Sequence, residues 1–334
     1  MNKTHPKITI IVANYNGTNY IKACLNSVLK SSYKNFEIIV VDDGSKDNSK
    51  SVLKSFEKEK KIKIFYFKKN KGAACARNFG VKRSKGEYIL FIDFDCEIEK
   101  KCLAAIIKKL NKDKEIGGIV LKLITDNGKL DSAGHFYSIF GFPYEVGAGE
   151  NPENYQKELP VFGSKTAGFA VRKDVIEKIH GFDEDYVISG EDTDLSWRII
   201  LANYQLIYFP EAIGYHHQKE TEVKSTKYRI LYEGIKNNLC NLIKNSSVSL
   251  LWWIIPLHIF SLLLLSLKLL IQGRINDSLW IYKSILWNII HLNKTLEKRK
   301  LNKIFAKNDN IVNMFGSINH LQLMKKGWKW FLNV

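Results

Sequence analysis

The first 110 residues alternate continuous apolar runs with segments whose apolar residues recur at helical spacing. The apolar runs at 8–13, 36–41, 62–67 and 88–92 predict four strands, and the segments between them predict helices. Because the runs are continuous and not alternating, both faces of the sheet should be covered by helices. This order is typical of an α/β fold with a mostly parallel sheet flanked by helices.

Among the predicted helices of this first part are those at 47–60 and 72–81. The same patterns continue toward residue 220 with longer connections, and they predict strands at 117–123, 163–171 and 204–209 and a helix at 192–202. Segment 126–150, rich in glycine and aromatic residues, is predicted as a long loop. Loops of that length inside a compact domain are usually functional.

The most apolar stretch of the chain lies at 250–271 and is long enough to cross a bilayer, whereas a second apolar segment at 279–292 is too short. Beyond Gly273 there are 11 basic residues against 3 acidic ones. A single crossing would put this basic tail opposite the N-terminal domain, against the positive-inside tendency. We therefore expect a re-entrant hairpin or interfacial helices on the cytoplasmic face of the cell membrane, with a soluble helical bundle as the alternative.

The charge distribution supports two parts, a domain at 1–220 and a basic, apolar, membrane-associated helical region at 221–334. From Thr221 onward there are 17 Lys+Arg against 5 Asp+Glu, within a net charge of +17 for the whole chain. This surplus surrounds the apolar stretch, which favours a membrane surface over nucleic acid as the partner. Five cysteines without a C-x-x-C pair, and an N-terminus without an apolar leader, favour reduced thiols and a catalytic part facing the cytoplasm.

The fourth predicted strand ends in two carboxylates, in the sequence Y-I-L-F-I-D-F-D-C-E. Asp93 and Asp95 alternate with Phe94, so at strand spacing both can point toward one face. Two hard oxygen ligands at a strand end suit Mg²⁺ or Mn²⁺ bound partly through a substrate's phosphates. The alternative is a charged turn after a buried strand.

Other polar side chains follow the first predicted strands, at the edge where open parallel sheets bind ligands. They are an aromatic ring, two acids that can accept hydrogens from a base or ribose, and a cation: Tyr15, Asp42, Asp43 and Arg77. With Asp93 and Asp95 they form the set that a nucleotide diphosphate needs. Taken singly, each has a structural alternative as core packing, a helix cap or a solvated charge. Neither a G-x-G-x-x-G after the first strand nor a P-loop motif is present, which disfavours dinucleotide and P-loop enzymes.

A second cluster of acids opens the predicted helix at 192–202. Capping explains one or two of Glu191, Asp192 and Asp194, because the helix dipole favours acids there. The functional interpretation makes Asp192 a general base that faces an acceptor hydroxyl. His216 and His217, which follow the strand-like run at 204–209, are candidate nitrogen ligands.

Seven segments in this order resemble glycosyltransferase family 2, the inverting GT-A enzymes, over roughly residues 6–220. The segments are I-T-I-I-V-A-N-Y-N, V-V-D-D-G-S-K-D-N-S, N-K-G-A-A-C-A-R-N, G-E-Y-I-L-F-I-D-F-D, G-F-D-E-D-Y, E-D-T-D-L-S-W-R and P-E-A-I-G-Y-H-H. D-S-A-G-H-F and the E-D-T-D-L-S-W-R block are most similar to rhamnosyltransferase-type enzymes of cell-surface polysaccharide assembly. The chain departs from the common pattern at Ala13 and His180, and it lacks the Q-x-x-R-W signature of processive members.

The resemblance implies a role for each matching position. The base and ribose would be held by Tyr15, Asp43 and Asp42, the nucleotide by Arg77, the ribose and metal by Asp93 and Asp95, a third metal position by His216, and the catalytic base would be Asp192. The implied cofactor is Mg²⁺ or Mn²⁺.

The implied reaction is inverting, non-processive transfer of one sugar from a UDP-, dTDP- or GDP-sugar. The acceptor would be a hydroxyl of a lipid-linked or other glycan at the membrane surface. Two alternatives remain: a transferase that makes polyprenyl-phosphate sugars, and a membrane-bound nucleotide-sugar-binding protein without turnover.

Overall fold

A mixed β-sheet forms the centre of the molecule in a computed structural model that describes residues 7–217 and 224–305. Its strands, with a separate hairpin of β8 and β9, are β1 (Ile8–Asn14), β2 (Phe36–Asp42), β3 (Ile62–Tyr66), β4 (Tyr88–Asp93), β5 (Cys96–Ile98), β6 (Ile116–Thr125), β7 (Leu130–Ser132), β8 (His135–Tyr137), β9 (Pro143–Glu145), β10 (Leu159–Pro160), β11 (Gly168–Arg172) and β12 (Gln205–His216). The helices are α1 (Ile21–Leu29), α2 (Ser49–Lys54), α3 (Ala73–Arg83), α4 (Cys102–Lys112), α5 (Lys173–Lys178), α6 (Glu191–Leu201), α7 (Lys224–Asn245), α8 (Val248–Ile271), α9 (Ile275–Ile290) and α10 (Leu292–Phe305).

The order of the main path through the sheet is β10-β12-β6-β11-β4-β1-β2-β3. Strands β1 to β4 are parallel to their neighbours among themselves, as predicted, and β12 is parallel to β6. Strand β11 lies antiparallel between β4 and β6. Apolar side chains from helices pack on both faces, so the expected α/β architecture with covered faces is confirmed.

Strand β12 continues well past the predicted end at Phe209. Proline cannot donate a ladder hydrogen bond, which is why the sequence predicts a stop at Pro210. In the structure the pairing with β6 shifts register between Phe209 and Ile213, so the proline lies at an irregularity that tolerates it. The continued strand brings His216 opposite Cys96 of β5.

Segment 126–150 is not a bare loop, since it contains β7, β8 and β9. Strand β7 pairs with β6, and β8 pairs with β9 in a small hairpin whose backbone also bonds to Gly163. The prediction of a strand from 163 was too long, because β11 begins only at Gly168. The residues before Gly168 instead turn toward the hairpin.

The four C-terminal helices pack against one another and against the sheet-containing half of the chain. Helices α8 and α9 form a hairpin through the turn at Gly273, and α10 returns to α7. Lys298 on α10 pairs with Asp183 and, at 2.6 Å, with Asp185, both in the loop before α6. Helix α10 therefore lies beside the sheet-containing half of the chain.

Candidate active site

The carboxyl ends of three adjacent parallel strands bring the predicted nucleotide-binding residues together. Asn14 of β1 is in register with Asp42 of β2, and Ala13 is in register with Asp93 of β4. Tyr15 follows β1 and keeps its ring 37% exposed at this edge. The sheet thus gathers the groups that the sequence placed at separate strand ends.

Asp42 and Asp43 both accept hydrogen bonds that hold the loops at this edge in place. Asp42 is fully buried and accepts hydrogen bonds from the Asn14 amide (2.8 Å) and from Ser45 through both its N–H (3.0 Å) and its hydroxyl (2.6 Å). Asp43 accepts the backbone N–H groups of Lys71 (2.7 Å) and Gly72 (2.8 Å). Burial raises the pKa of Asp43 in spite of those two donors. Because Gly72 precedes α3, the Asp43 carboxylate fixes where that helix begins.

Arg77 on α3 joins two parts of the site. Its guanidinium is almost completely buried, with Nη2 2.8 Å from Asp93 Oδ1 and Nη1 2.9 Å from Glu191 Oε1. Burial alone would lower the pKa of Arg77, but Asp93 and Glu191 more than compensate and raise it. From sequence, Arg77 was a candidate nucleotide-binding residue, whereas Glu191 was only a candidate for capping the helix.

Asp95, Cys96 and His216 form a compact group, with one potential ligand atom of each lying within 4.8 Å of the others. His216 Nδ1 lies 3.1 Å from Asp131 Oδ2, while its Nε2 faces Asp95 Oδ1 at 3.6 Å, longer than a hydrogen bond. Burial raises the pKa of the Cys96 thiol to about 12, so this sulfur keeps its proton.

This donor set fits a divalent cation of the Mg²⁺ or Mn²⁺ type. A metal-binding histidine usually has its other ring nitrogen held by a carboxylate, which is the position of Asp131 relative to His216. Asp95 offers a carboxylate oxygen, the kind of donor that these cations prefer. Asp93 binds Arg77 through its Oδ1 and lines the same cavity as His216. Asp131 was not predicted as a site residue, although the D-S-A-G-H-F motif that contains it was noted.

The three acids at the start of α6 have three different environments. Glu191 is paired with Arg77, and Asp194 is buried against Arg198 (2.6 Å) and Lys244 (2.8 Å). Within 7–217 and 224–305, no ion pair involves Asp192, which accepts hydrogen bonds from Thr193. Burial, and then the charge of Glu191, raise the pKa of Asp192 to about 7. A carboxylate with that pKa is suited to accept a proton near neutral pH.

A cavity of about 370 Å³ connects these groups. Asp93, Arg77 and His216 line one part of it, and Glu191 and Asp192 line another. The structure therefore brings together the candidate metal position and the candidate base, which are far apart in the sequence.

Helix α7 supplies part of the cavity wall, although it lies beyond the predicted boundary at residue 220. Gly234, Asn238 and Asn241 line the cavity. Asn241 donates to Gly190 O (3.0 Å), and Asn237 donates to Ser189 O (2.7 Å), so α7 also fixes the turn that precedes α6. Asparagines at 237, 241 and 245 recur every four residues, a helical-face signal that the sequence analysis did not use.

Tyr15, Asp43 and Asp93 lie within the region that a protein-family model matches. The model of Glycosyl transferase family 2 matches residues 9–180, just over half of the chain. The chain belongs to glycosyl transferase family 2. The predicted family and class of enzyme, a glycosyltransferase, are thereby confirmed, while the rhamnosyltransferase-like subgroup stays a prediction.

Two curated relatives illustrate the extent of the similarity. Glycosyltransferase GlyA of Streptococcus pneumoniae serotype 4 is 29% identical over 214 residues, which are 62% of this chain and 30% of that protein. Glycosyltransferase AglE of Haloferax volcanii is 28% identical over 225 residues, 65% of this chain and 68% of that one. The chain spans 30%, 16% and 13% of the length of the first relatives it matches.

Among solved structures, the mannosyltransferase PcManGT from Pyrobaculum calidifontis, in complex with GDP-Man and Mn²⁺, superposes with a TM-score of 0.55. The superposition covers 92% of this chain and 89% of that one, at 16% identity. At this identity the likeness concerns the fold, and it confirms the predicted GT-A architecture of the family 2 chain.

Proposed function

We propose that this family 2 glycosyltransferase transfers one sugar from a nucleotide-diphosphate sugar to a hydroxyl of a lipid-linked glycan acceptor, with inversion and with a divalent metal. The observation that carries the proposal is Asp192, whose pKa is raised to about 7 and which lines the same cavity as Asp93 and His216. The proposed base and two of the proposed metal ligands therefore line one cavity.

The donor is proposed to lie across the carboxyl ends of β1, β2 and β4. The exposed ring of Tyr15 offers a surface for the base, and each oxygen of Asp43 keeps a second lone pair for the base or ribose. Asp42 would act through the loop that it fixes. The GDP-Man found with PcManGT makes GDP-sugars candidates beside UDP- and dTDP-sugars.

Asp93, Asp95 and His216 are the proposed holders of Mg²⁺ or Mn²⁺. The bound cation would supply charge neutralisation for the diphosphate, which lowers the free energy of the transition state. Arg77 holds Asp93 in place and remains ionised throughout.

In the proposed reaction Asp192 takes the proton of the acceptor hydroxyl as its oxygen attacks the anomeric carbon. The bond from that carbon to the diphosphate oxygen breaks on the opposite face, and the nucleoside diphosphate leaves. The configuration inverts because attack and departure occur on opposite faces. Glu191 stays paired with Arg77, and its charge keeps the pKa of Asp192 high enough for proton transfer.

The C-terminal helices support a location on the cytoplasmic face of the cell membrane. Helix α8 is long and apolar enough to cross a bilayer, with a mean hydropathy of 2.3 over an 18-residue window, but α9 is only about 24 Å long. Trp252, Ile271 and Ile290 are at least two-thirds exposed on these helices. Since α10 returns to the loop before α6, we propose that the α8–α9 hairpin lies in the membrane interface without a single crossing.

A lipid-linked acceptor is consistent with an apolar groove of about 660 Å³ between α7, α8 and α9. Trp252, Pro256 and Ile289 are among the side chains that line it, and of the described residues that do so only Asn288 is polar. An isoprenoid or acyl chain has the chemistry that such a groove accommodates.

The alternatives make different use of Asp192. A transferase that forms polyprenyl-phosphate sugars has a phosphate acceptor, which needs no base, and a binding protein without turnover needs none either. The raised pKa and the cavity position of Asp192 favour the hydroxyl acceptor.

The decisive experiment is release of nucleoside diphosphate by the membrane-bound protein from UDP-, GDP- and dTDP-sugars with Mn²⁺ or Mg²⁺, native lipid being the acceptor. Asp192→Asn should retain donor binding and lose about 10²–10⁴-fold in turnover. Equal release by wild type and variant would favour the phosphate acceptor. Donor binding without release from the wild type would favour the non-catalytic protein.

A further inference from the structure

Helix α6, which carries the proposed base, is preceded by a left-handed turn at Ser189 and Gly190. Both residues have positive φ angles, 64° and 85°. Glycine adopts this conformation freely, whereas at a serine it costs free energy and persists only where the surroundings hold it. Gly190 is also the N-cap residue of α6 and has no side chain with which to cap the helix. The left-handed turn therefore needs support from elsewhere in the fold.

Three consecutive backbone carbonyls of this segment accept hydrogen bonds from two asparagines of α7. The Asn237 amide donates to Ile188 O (3.0 Å) and to Ser189 O (2.7 Å). The Asn241 amide donates to Gly190 O (3.0 Å). Both asparagines are fully buried, where a donor without a partner costs free energy, so the bonds fix direction as well as distance. Helix α7 thus supplies the support that the turn needs.

The asparagines on this face of α7 are themselves held in place. The hydroxyl of buried Tyr186 donates to Asn241 Oδ1 at 2.7 Å, which fixes the orientation of that amide. One helical turn further along, Asn245 donates to Asp194 Oδ1 at 2.8 Å. Asparagine is a weak helix former, and three of them recur here every four residues. Hydrogen bonding to α6 and to the turn before it accounts for their presence on one helical face.

Asp192, in contrast, is held only by its neighbour in the chain. Its Oδ1 accepts the N–H of Thr193 at 2.7 Å and the hydroxyl of the same residue at 3.3 Å. The half-buried carboxylate lines the cavity, so the direction in which it points depends on where the first turn of α6 lies. That first turn is fixed on one side by the bond from Glu191 to Arg77 and on the other side by α7.

We propose that Asn237 and Asn241 position Asp192 for catalysis by holding the left-handed turn, so that the base faces the acceptor hydroxyl. The inference rests on the proposed transfer reaction and identifies positioning residues for its proton-transfer step. Neither asparagine is a catalytic residue, since each acts through the backbone of the turn. Displacement of a reacting group by about 1 Å can lower the rate about 10²-fold, so the loss of either amide should appear in kcat.

The test is a double-mutant cycle on the full chain. Release of nucleoside diphosphate from UDP-, GDP- and dTDP-sugars is the assay, and native membrane lipid is the acceptor. Asn237→Leu should lower kcat about 10–100-fold and leave the KM for the donor nearly unchanged, because the donor is proposed to bind at the strand ends. In an Asp192→Asn background the same substitution should have no further effect, since no base is left to misplace.

A second cycle uses the strain in the turn. Glycine adopts the left-handed conformation without support from an amide, so Asn237→Leu should cost less turnover in a Ser189→Gly background than in the wild type. Asn241→Leu removes the contact with one carbonyl instead of two and gives a milder variant if Asn237→Leu does not fold. Its effect on kcat should likewise disappear in the Asp192→Asn background.

The matched control is Asn78→Leu. This buried amide also holds the segment before α6, but at Phe182, where it bonds the N–H (2.8 Å) and the carbonyl (2.9 Å). Whatever its effect on turnover, the factor should be the same in the wild-type and Asp192→Asn backgrounds. Thermal unfolding of each variant shows that it is folded at the temperature of the assay.

Hydrogen exchange of the backbone amides of 188–194 gives a readout that needs no turnover, and both asparagine-to-leucine variants of α7 should exchange faster there than wild type. Unchanged exchange in both variants overturns the inference. So does a loss of turnover in Asn237→Leu that is equally large with and without Asp192. Failure of the proposed function is a different result: a wild type that binds donor and releases no nucleoside diphosphate.

Discussion

Arg77 and Glu191 are 114 residues apart in the sequence, yet Nη1 of the arginine lies 2.9 Å from Oε1 of the glutamate in a buried ion pair. The second arm of the same guanidinium binds Asp93 at 2.8 Å. One cation thus joins the end of the strand that carries Asp93, a proposed metal ligand, to the helix that carries the proposed base.

Replacement of Arg77 should destabilise the fold. Arg77→Ala leaves Glu191 buried and unpaired, and we expect a loss of about 3 kcal/mol in the free energy of unfolding. Urea denaturation measures it, with Lys82→Ala on the exposed side of the same helix as the control. If Arg77→Gln, Glu191→Gln and the double variant gave strictly additive losses, the pair would not be coupled.

The pH dependence of turnover should follow Asp192. Because its pKa is raised to about 7, the carboxyl is largely protonated at pH 5, and kcat should rise as pH increases through 7. The folded state binds more protons than the unfolded one between about pH 4 and pH 7, so this group's contribution to stability falls as pH rises through that window. Asp192→Asn should flatten the stability profile there, and a profile identical to wild type contradicts the assignment.

Asp131 should control metal affinity without being a ligand. Its Oδ2 holds His216 Nδ1, and loss of such a partner typically lowers metal affinity about 10–100-fold. Electron paramagnetic resonance of free Mn²⁺ measures the effect in Asp131→Asn. The matched control is Asp126→Asn, because Asp126 contacts His217 and not His216. Undiminished turnover in EDTA would remove the metal from the mechanism altogether.

Removal of α7 should prevent formation of the site. Asn245 donates to Asp194 Oδ1 at 2.8 Å, and Lys244 pairs with the same carboxylate and with Asp183. A chain cut at residue 220 loses these partners, so we expect no cooperative unfolding transition, whereas a chain of 1–305 should keep one. Circular dichroism during urea titration checks both. A cooperative 1–220 fragment would mean that residues 1–220 fold independently of the helices.

Membrane association should depend on the apolar side chains of α8 and α9. Trp252→Ser combined with Ile289→Ser should weaken co-sedimentation with anionic vesicles at least about tenfold, because burial of each side chain contributes about 1.5–3 kcal/mol. Tyr66→Ser is the control, since this aromatic ring is exposed on the sheet-containing half. Equal binding by the two variants would favour a soluble bundle.

Much of the sheet, and the meeting of several candidate site residues at one edge of it, could be predicted from local pattern. Continuous apolar runs identify buried parallel strands, and the polar residues that end β1, β2 and β4 have to meet because parallel strands share an edge. Helix and strand ends were less predictable. The stop expected at Pro210 was wrong because a register shift in the partner pairing, invisible in sequence, accommodates the proline.

The family resemblance, the α/β order and the candidate chemistry of Asp93, Asp95, Asp192 and His216 could be read from local sequence. The pairing of Arg77 with Glu191 and of Asp131 with His216 could not, and neither could the place of His135 in the cavity wall. Strand and helix periodicities are local, whereas burial and charge pairing depend on segments more than 50 residues apart. The pKa of Asp192 is a property of that assembly and not of its motif.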